Sequence, residues 1–183
     1  MSSHSFTTAL ARIKLLVLDV DGVLTDGRLY YGSDGGEVKV FNVRDGLGIK
    51  MLMSSGVDVA IITARASEIV TRRAGELGID HCHQGSDNKL RTLDKLLKDL
   101  NLEYQHAAYM GDDLPDLEAM RQVGVALTVA DACTEVMEAA AWCSSRAGGD
   151  GAVREACEAI MSAQNTLVST QTLFTGDTPA DPG

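Results

Sequence analysis

Three aspartates, Asp19, Asp21 and Asp26, crowd around Gly22 where an aliphatic run gives out, in the stretch LLVLDVDGVLTDG at residues 15–27. A carboxylate buried without a partner is costly to desolvate, so acids at the end of a core strand must meet water, a metal or a strong donor. Asp19 and Asp21 lie two residues apart and share a face on a regular strand, but a turn beginning at Gly22 splays them into separate tasks. One carboxylate beside a cation can serve as a nucleophile, and the other as general acid and base. A further carboxylate, Asp112 in GDDLPD, completes an oxygen-rich set suited to Mg2+, a hard cation that takes few protein ligands. A phosphoryl group in transfer would present its oxygens to that metal, to Lys89, to the Thr63 hydroxyl and to the N–H groups of the turn.

Such a constellation needs elements that bring distant residues to one edge. Near-continuous apolar runs at residues 13–20, 57–63, 106–111 and 124–129 read as strands of a parallel sheet covered on both faces. Segments with helical spacing separate them, best seen in the stripe Leu90, Leu93, Leu96, Leu97 and Leu100. The alternation predicts an α/β fold of the doubly wound, Rossmann-like kind, whose ligands bind beyond the carboxyl ends of the strands. The strand tips carry polar residues: Asp19 and Asp21, then Thr63-Ala64-Arg65, then the acids from Asp112. Lys89 opens the leucine-striped helix. One piece breaks the alternation: residues 27–43 hold two β-rich arms around Ser33-Asp34-Gly35-Gly36, a hairpin inserted after the first strand. Residues 13–163 are expected to form one domain, and the polar stretch 164–183 a flexible tail.

Composition narrows the function. A formal net charge of −10 argues against a nucleic-acid or membrane-surface binder, which would want a basic face. Neither a secretory leader's apolar core nor a run of about 20 apolar residues is present, so a cytoplasmic protein is expected. Cys82, Cys133, Cys143 and Cys157 are widely spaced, which suggests reduced, buried thiols. His81-Cys82-His83 invites a zinc reading, but successive residues on a strand face opposite ways.

The motifs DVDGVLTDG, ITAR, NKL and GDDLPD resemble, in order and spacing, the four motifs of the haloacid dehalogenase superfamily of phosphatases, and the likeness runs from about residue 13 to residue 160. It implies that Asp19 is the nucleophile and a Mg2+ ligand. It further implies that Asp21 is the acid and base and holds the metal through its carbonyl, that Asp112 is the remaining ligand, and that Thr63 and Lys89 bind the phosphoryl group. The small hairpin, FNVRDGLGIK and GGDGAVREACEAI bring the chain nearer to the 3-deoxy-D-manno-octulosonate 8-phosphate phosphatase family, which acts in lipopolysaccharide precursor synthesis. In that family the cap is too small to cover its own site, and a homotetramer closes the sites with neighbouring subunits. Its substrate-binding positions map onto Asp21, Asn42, Val43, Arg44, Asp45, Gly46, Lys50, Arg65, Arg73 and Lys89. A sugar-acid phosphate is anionic at both ends, which suits arginine. The chain departs from the pattern at Ala64, where glycine is usual, and at Lys50, where arginine is common. The rival readings are a nine-carbon sialic-acid-type 9-phosphate phosphatase, in which Arg65 would be replaced by glutamate, and a silent oligomeric scaffold.

Several polar residues have ordinary explanations. Asp26 beside Gly27 suits a turn at the hairpin entrance, and Asp113 suits a helix cap before Pro115. Asp116 fits either an orienting partner for Lys89 or the metal's waters, or a helix N-terminus, and Arg154 either a substrate contact or a surface ion pair. Of the adjacent pair Arg72 and Arg73, only one can face a site.

Overall fold

The computed structural model describes residues 3–175. After helix α1 (Ser3–Leu10), strand β1 (Leu15–Leu18) runs through the middle of a six-stranded parallel sheet. The other strands are β4 (Asp58–Ile62), β5 (His81–His83), β6 (Ala107–Met110), β7 (Val125–Thr128) and β8 (Trp142–Cys143), in the order β5-β4-β1-β6-β7-β8. Every residue of β1 is 0% exposed, which is why this strand reads as an unbroken aliphatic run rather than an alternating one. In register, Leu18 pairs with Ile61 on one side and Met110 on the other, so the three strands end level. The doubly wound α/β expectation holds.

The crossovers place the site. From β1 the chain passes through α2 (Val43–Ser54) and α3 (Glu68–Leu77) to build outward through β4 and β5. It then returns through α4 (Lys89–Asp99) to β6 on the other side of β1, continuing by α5 (Leu117–Met120) and α6 (Thr134–Ala139). Helices α2, α3 and α7 (Ala152–Ala163) pack as one group and α4, α5 and α6 as another. Right-handed crossovers in opposite directions put these groups on opposite faces, and they open a crevice beyond the tips of β1 and β6, where the winding reverses.

Between β1 and α2 lies the hairpin, β2 (Tyr30–Tyr31) paired antiparallel with β3 (Glu37–Val38). Asp26 accepts from the Arg28 N–H and the Tyr30 hydroxyl, the turn role expected of it. Two expectations need correction. The stretch from 164, expected as a flexible tail, is helical over α8 (Leu167–Thr175), which packs against α2 and α7 and buries Thr170; residues 176–183 of that expectation lie outside the described residues. Of the four free cysteines only Cys157 is buried, and Cys143 is exposed because β8 is a two-residue edge strand. No described helix is long and apolar enough to cross a membrane.

Candidate active site

A cleft of about 310 Å3 opens at the winding reversal, lined by Asp19, Asp21, Thr63, Arg65, Lys89, Asp112 and Asp116 among others. Asp19 stands one residue past β1, with its N–H donated to the Met110 carbonyl across the ladder, so the rigid sheet fixes its direction. Thr63 follows β4 and Asp112 follows β6 by two residues. Gly22 makes the approach of Asp21's turn to Asp112 possible: its φ is +98°, and a Cβ there would lie 2.0 Å from Asp112 Oδ2.

Acids outnumber cations at the floor, where Asp19, Asp112 and Asp116 surround Lys89. Lys89, the first residue of α4, reaches Asp19 Oδ2 at 3.0 Å and Asp116 Oδ1 at 2.6 Å with its side chain 4% exposed. Asp116, 0% exposed, also accepts from the Tyr109 hydroxyl at 2.9 Å and the N–H groups of Asp112 and Asp113 at 3.2 and 3.4 Å. Its four acceptor sites are therefore engaged. Asp116 thus holds Lys89 and accepts from the N–H groups at the start of the turn at once, while Asp113 accepts from the Leu114 N–H as the cap of that turn.

The other two carboxylates are not satisfied. Oδ1 of Asp19 and Oδ1 of Asp112 are buried with no hydrogen-bond partner, and ligand atoms of Asp19, Asp112 and Asp116 lie within 4.8 Å of one another. Burial first, then the charge of Asp116, raises the Asp19 carboxyl to about 6 although Lys89 opposes the shift. Burial first, then Asp19 and Asp116, raises Asp112 to about 7. Burial works against the charge of Lys89, but Asp19 and Asp116 outweigh it and hold its pKa above the ordinary value. Two orphaned carboxylate oxygens on neighbouring acids, with a shortage of positive charge, fit a hard divalent cation. Because the donors of Asp116 already occupy it, Asp19 and Asp112 are the side chains that suit Mg2+.

The remaining candidates divide. Asp21 and Arg65 sit at the mouth of this cleft, with Arg65 Nε 3.7 Å from Asp21 Oδ2. Asn42, Val43, Arg44, Asp45, Gly46, Lys50 and Arg73 do not line it. Asn42 caps α2 by accepting from the Arg44 N–H and also donates to the Gly149 carbonyl. Asp45 is buried and caps α7, accepting from the Arg154 and Gly151 N–H groups. Val43, Arg44 and Lys50 are exposed, and Arg44 borders a separate polar cleft with Arg146 and Arg154. Arg73 lies over the Phe41 ring at 5.7 Å, crossing α2 where Gly46 leaves room, while Arg72 is exposed. Arg154 pairs with Glu158 at 2.6 Å, the surface alternative. Gly148 and Gly149 pack behind the catalytic turn, where a Cβ on Gly148 would meet the Gly22 carbonyl at 1.8 Å.

Three functional residues escape the sequence reading. Lys39 and Glu37 of the hairpin reach the cleft: Lys39 Nζ pairs with Asp21, and Glu37 Oε1 lies 2.6 Å from Arg65 Nη2. The alternation Glu37-Val38-Lys39-Val40 is the signal, since it puts both charges on one face of the arm. Tyr109 is the one hydroxyl in the otherwise apolar strand Ala107–Met110.

Residues 83–155 match the model of the haloacid dehalogenase-like hydrolase family. A 3-deoxy-D-manno-octulosonate 8-phosphate phosphatase of Salmonella typhi is 46% identical over 167 residues, covering 91% of this chain and 88% of that protein. The protein of the same name from Escherichia coli K12 is 47% identical over 155 residues, 85% and 82% of the two chains. The crystal structure of the Moraxella catarrhalis phosphatase in complex with magnesium ion, phosphate ion and a KDO molecule superposes with a TM-score of 0.92 at 45% identity, covering 94% of this chain and 99% of that one.

Proposed function

Because the chain belongs to the 3-deoxy-D-manno-octulosonate 8-phosphate phosphatase family of haloacid dehalogenase-like hydrolases, we propose that it hydrolyses that eight-carbon sugar-acid phosphate to the free sugar acid and phosphate, with Mg2+ as cofactor. The observation that carries the reading is the pair of orphaned oxygens on the neighbouring carboxylates Asp19 and Asp112, with a buried lysine paired to Asp19. A scaffold has no need to bury unsatisfied carboxylates.

Asp19, Asp112 and the main-chain carbonyl of Asp21 would hold Mg2+, which when bound supplies positive charge to the phosphoryl oxygens. Asp19 attacks phosphorus as the bond to the sugar oxygen breaks, and Asp21 gives that oxygen its proton. Asp21 then takes a proton from water as the water oxygen bonds to phosphorus and the Asp19–phosphorus bond breaks, so both acids return to their starting state. Lys89, fixed by Asp116, and Thr63 hold the transferring group's oxygens. Phosphate release from the eight-carbon substrate, with and without EDTA and beside the nine-carbon acid phosphate, tests this. Turnover of the eight-carbon acid that EDTA abolishes is expected, whereas preference for the nine-carbon acid or indifference to EDTA rejects it.

Two coarser readings accompany the activity. With residues 13–163 as a single phosphatase domain, the stretch 31–47 carries a band of exposed apolar residues, Tyr31, Val38, Val40, Val43 and Leu47, at 67%, 56%, 58%, 80% and 39% exposure. Exposed apolar side chains gathered in one stretch suit a subunit contact. We infer a homotetramer in which this band is covered and Asn42, Val43, Arg44, Asp45, Gly46, Lys50 and Arg73 serve a site shared with a neighbour. The acidic chain, without a membrane-crossing helix among its described residues, fits a cytoplasmic enzyme using a small sugar-acid phosphate, not a nucleic acid or a membrane.

A further inference from the structure

Asp21 is gripped from the hairpin. Lys39 extends from the end of β3 with its side chain 2% exposed, and its ammonium pairs with Oδ1 of Asp21. Arg65 Nε lies 3.7 Å from Oδ2 of Asp21, beyond hydrogen-bond reach. Glu37 closes the ring, with Oε1 lying 3.9 Å from Lys39 Nζ and 2.6 Å from Arg65 Nη2. Two acids and two cations thus alternate around four positions drawn from the catalytic turn, the hairpin and the loop after β4.

We propose that Lys39 is a positioning residue for proton transfer: by occupying Oδ1 of Asp21 it leaves Oδ2 as the oxygen that carries the proton to the leaving sugar oxygen. The physical reason is the chemistry of the two groups. An ammonium has only donors and pairs best with an unprotonated, negatively charged oxygen, so the proton is favoured on the other oxygen of the carboxyl. Fixing the carboxyl by one oxygen also fixes the direction of the other, and general-acid catalysis depends steeply on that geometry. A buried lysine at the root of a two-residue hairpin is otherwise hard to account for, because long charged side chains at such places ordinarily extend into solvent. The hairpin therefore supplies part of the proton-transfer apparatus in addition to any contact with substrate. This rests on the reading of Asp21 as proton donor.

The test uses the full-length, Mg2+-loaded enzyme in single turnover with enzyme in excess, which isolates the step that breaks the sugar–phosphate bond. Two leaving groups are compared: the sugar alcohol, which must be protonated as it departs, and p-nitrophenolate, which need not be. Lys39→Met keeps most of the buried stem and removes the charge. It is expected to slow release of the sugar by roughly tenfold or more while changing p-nitrophenol release by less than about threefold. Lys39→Arg, which restores a cationic donor, is expected to recover most of the loss. A fall of equal size with both leaving groups, an unchanged or raised sugar rate, or failure of Lys39→Arg to recover it overturns the proposal. Asp21→Asn is the reference: if it too is indifferent to the leaving group, the proton-donor reading falls and takes this inference with it. If Asp21→Asn discriminates and Lys39→Met does not, only the role of Lys39 is lost.

Discussion

The floor of the cleft and the hairpin above its mouth are built on opposite principles. The floor stands on β1 and β6, whose residues are 0% exposed, and its Lys89–Asp116 pair is completed by Tyr109 and two backbone donors. The hairpin has two strands of two residues each, outward-facing apolar side chains, and charged residues as its tie to the body of the protein. An isolated two-stranded hairpin is marginal in water, whereas a buried, fully bonded network holds one geometry. The floor is therefore the more firmly fixed part of the cleft, and the hairpin is held to it through the charged side chains of Lys39 and Glu37.

The contrast can be broken most decisively at the floor. Asp19→Asn is expected to remove phosphate release by about 10⁴-fold or more, with the far-ultraviolet circular dichroism spectrum unchanged. Retained turnover would show that the carboxylate at the end of β1 is not the nucleophile. Asp116→Ala strands Lys89 beside Asp19 without its second partner and frees the Tyr109 hydroxyl. It is expected to cost about 3–5 kcal/mol of stability in urea unfolding. A loss below about 1 kcal/mol would mean that the floor is no more rigid than the hairpin.

Metal removal sharpens the same point. In EDTA-treated protein the carboxyls of Asp19 and Asp112, raised by burial and then by neighbouring carboxylates, are expected to titrate at about 6 and about 7, against 3.8 in the unfolded chain. Because the folded pKa values are raised, the folded state holds protons that the unfolded state has released. The stability these acids contribute is present below about pH 4 and is lost as pH rises through 6 and 7. The melting temperature of the metal-free protein is thus expected to fall over that window, and added Mg2+ to restore more at pH 8 than at pH 5. A Mg2+ effect independent of pH would remove these two acids from the metal site. The smallest expected change is at the hairpin: Val40→Glu should alter subunit stability by no more than about 0.5 kcal/mol while weakening self-association, read by sedimentation velocity. An unchanged oligomer would leave the exposed band unexplained by subunit contact.

Much of this was legible in residue order. The unbroken apolar runs at 13–20, 57–63, 106–111 and 124–129 had to be buried on both faces, which points to a parallel α/β sheet. Parallel strands end on one edge, so Asp19, Thr63 and Asp112 had to converge, and Asp26 beside Gly27 had to turn. The positions 42–46, 50 and 73 were less legible. Their residue types suit a sugar acid, yet within the chain Asn42 and Asp45 are spent on capping helices and Arg73 on Phe41, uses that spacing alone does not distinguish from binding.

The sequence by itself determined the fold and the edge of the sheet at which Asp19, Thr63, Lys89 and Asp112 gather, because each is tied to a strand end or a helix start whose period is written locally. Only the tertiary structure decided that Asp116 orients Lys89, that Tyr109 completes the pair, and that Lys39 reaches back 18 residues to grip Asp21. Those contacts join elements whose separation in sequence carries no period, and their geometry is set by packing around the winding reversal between β1 and β6.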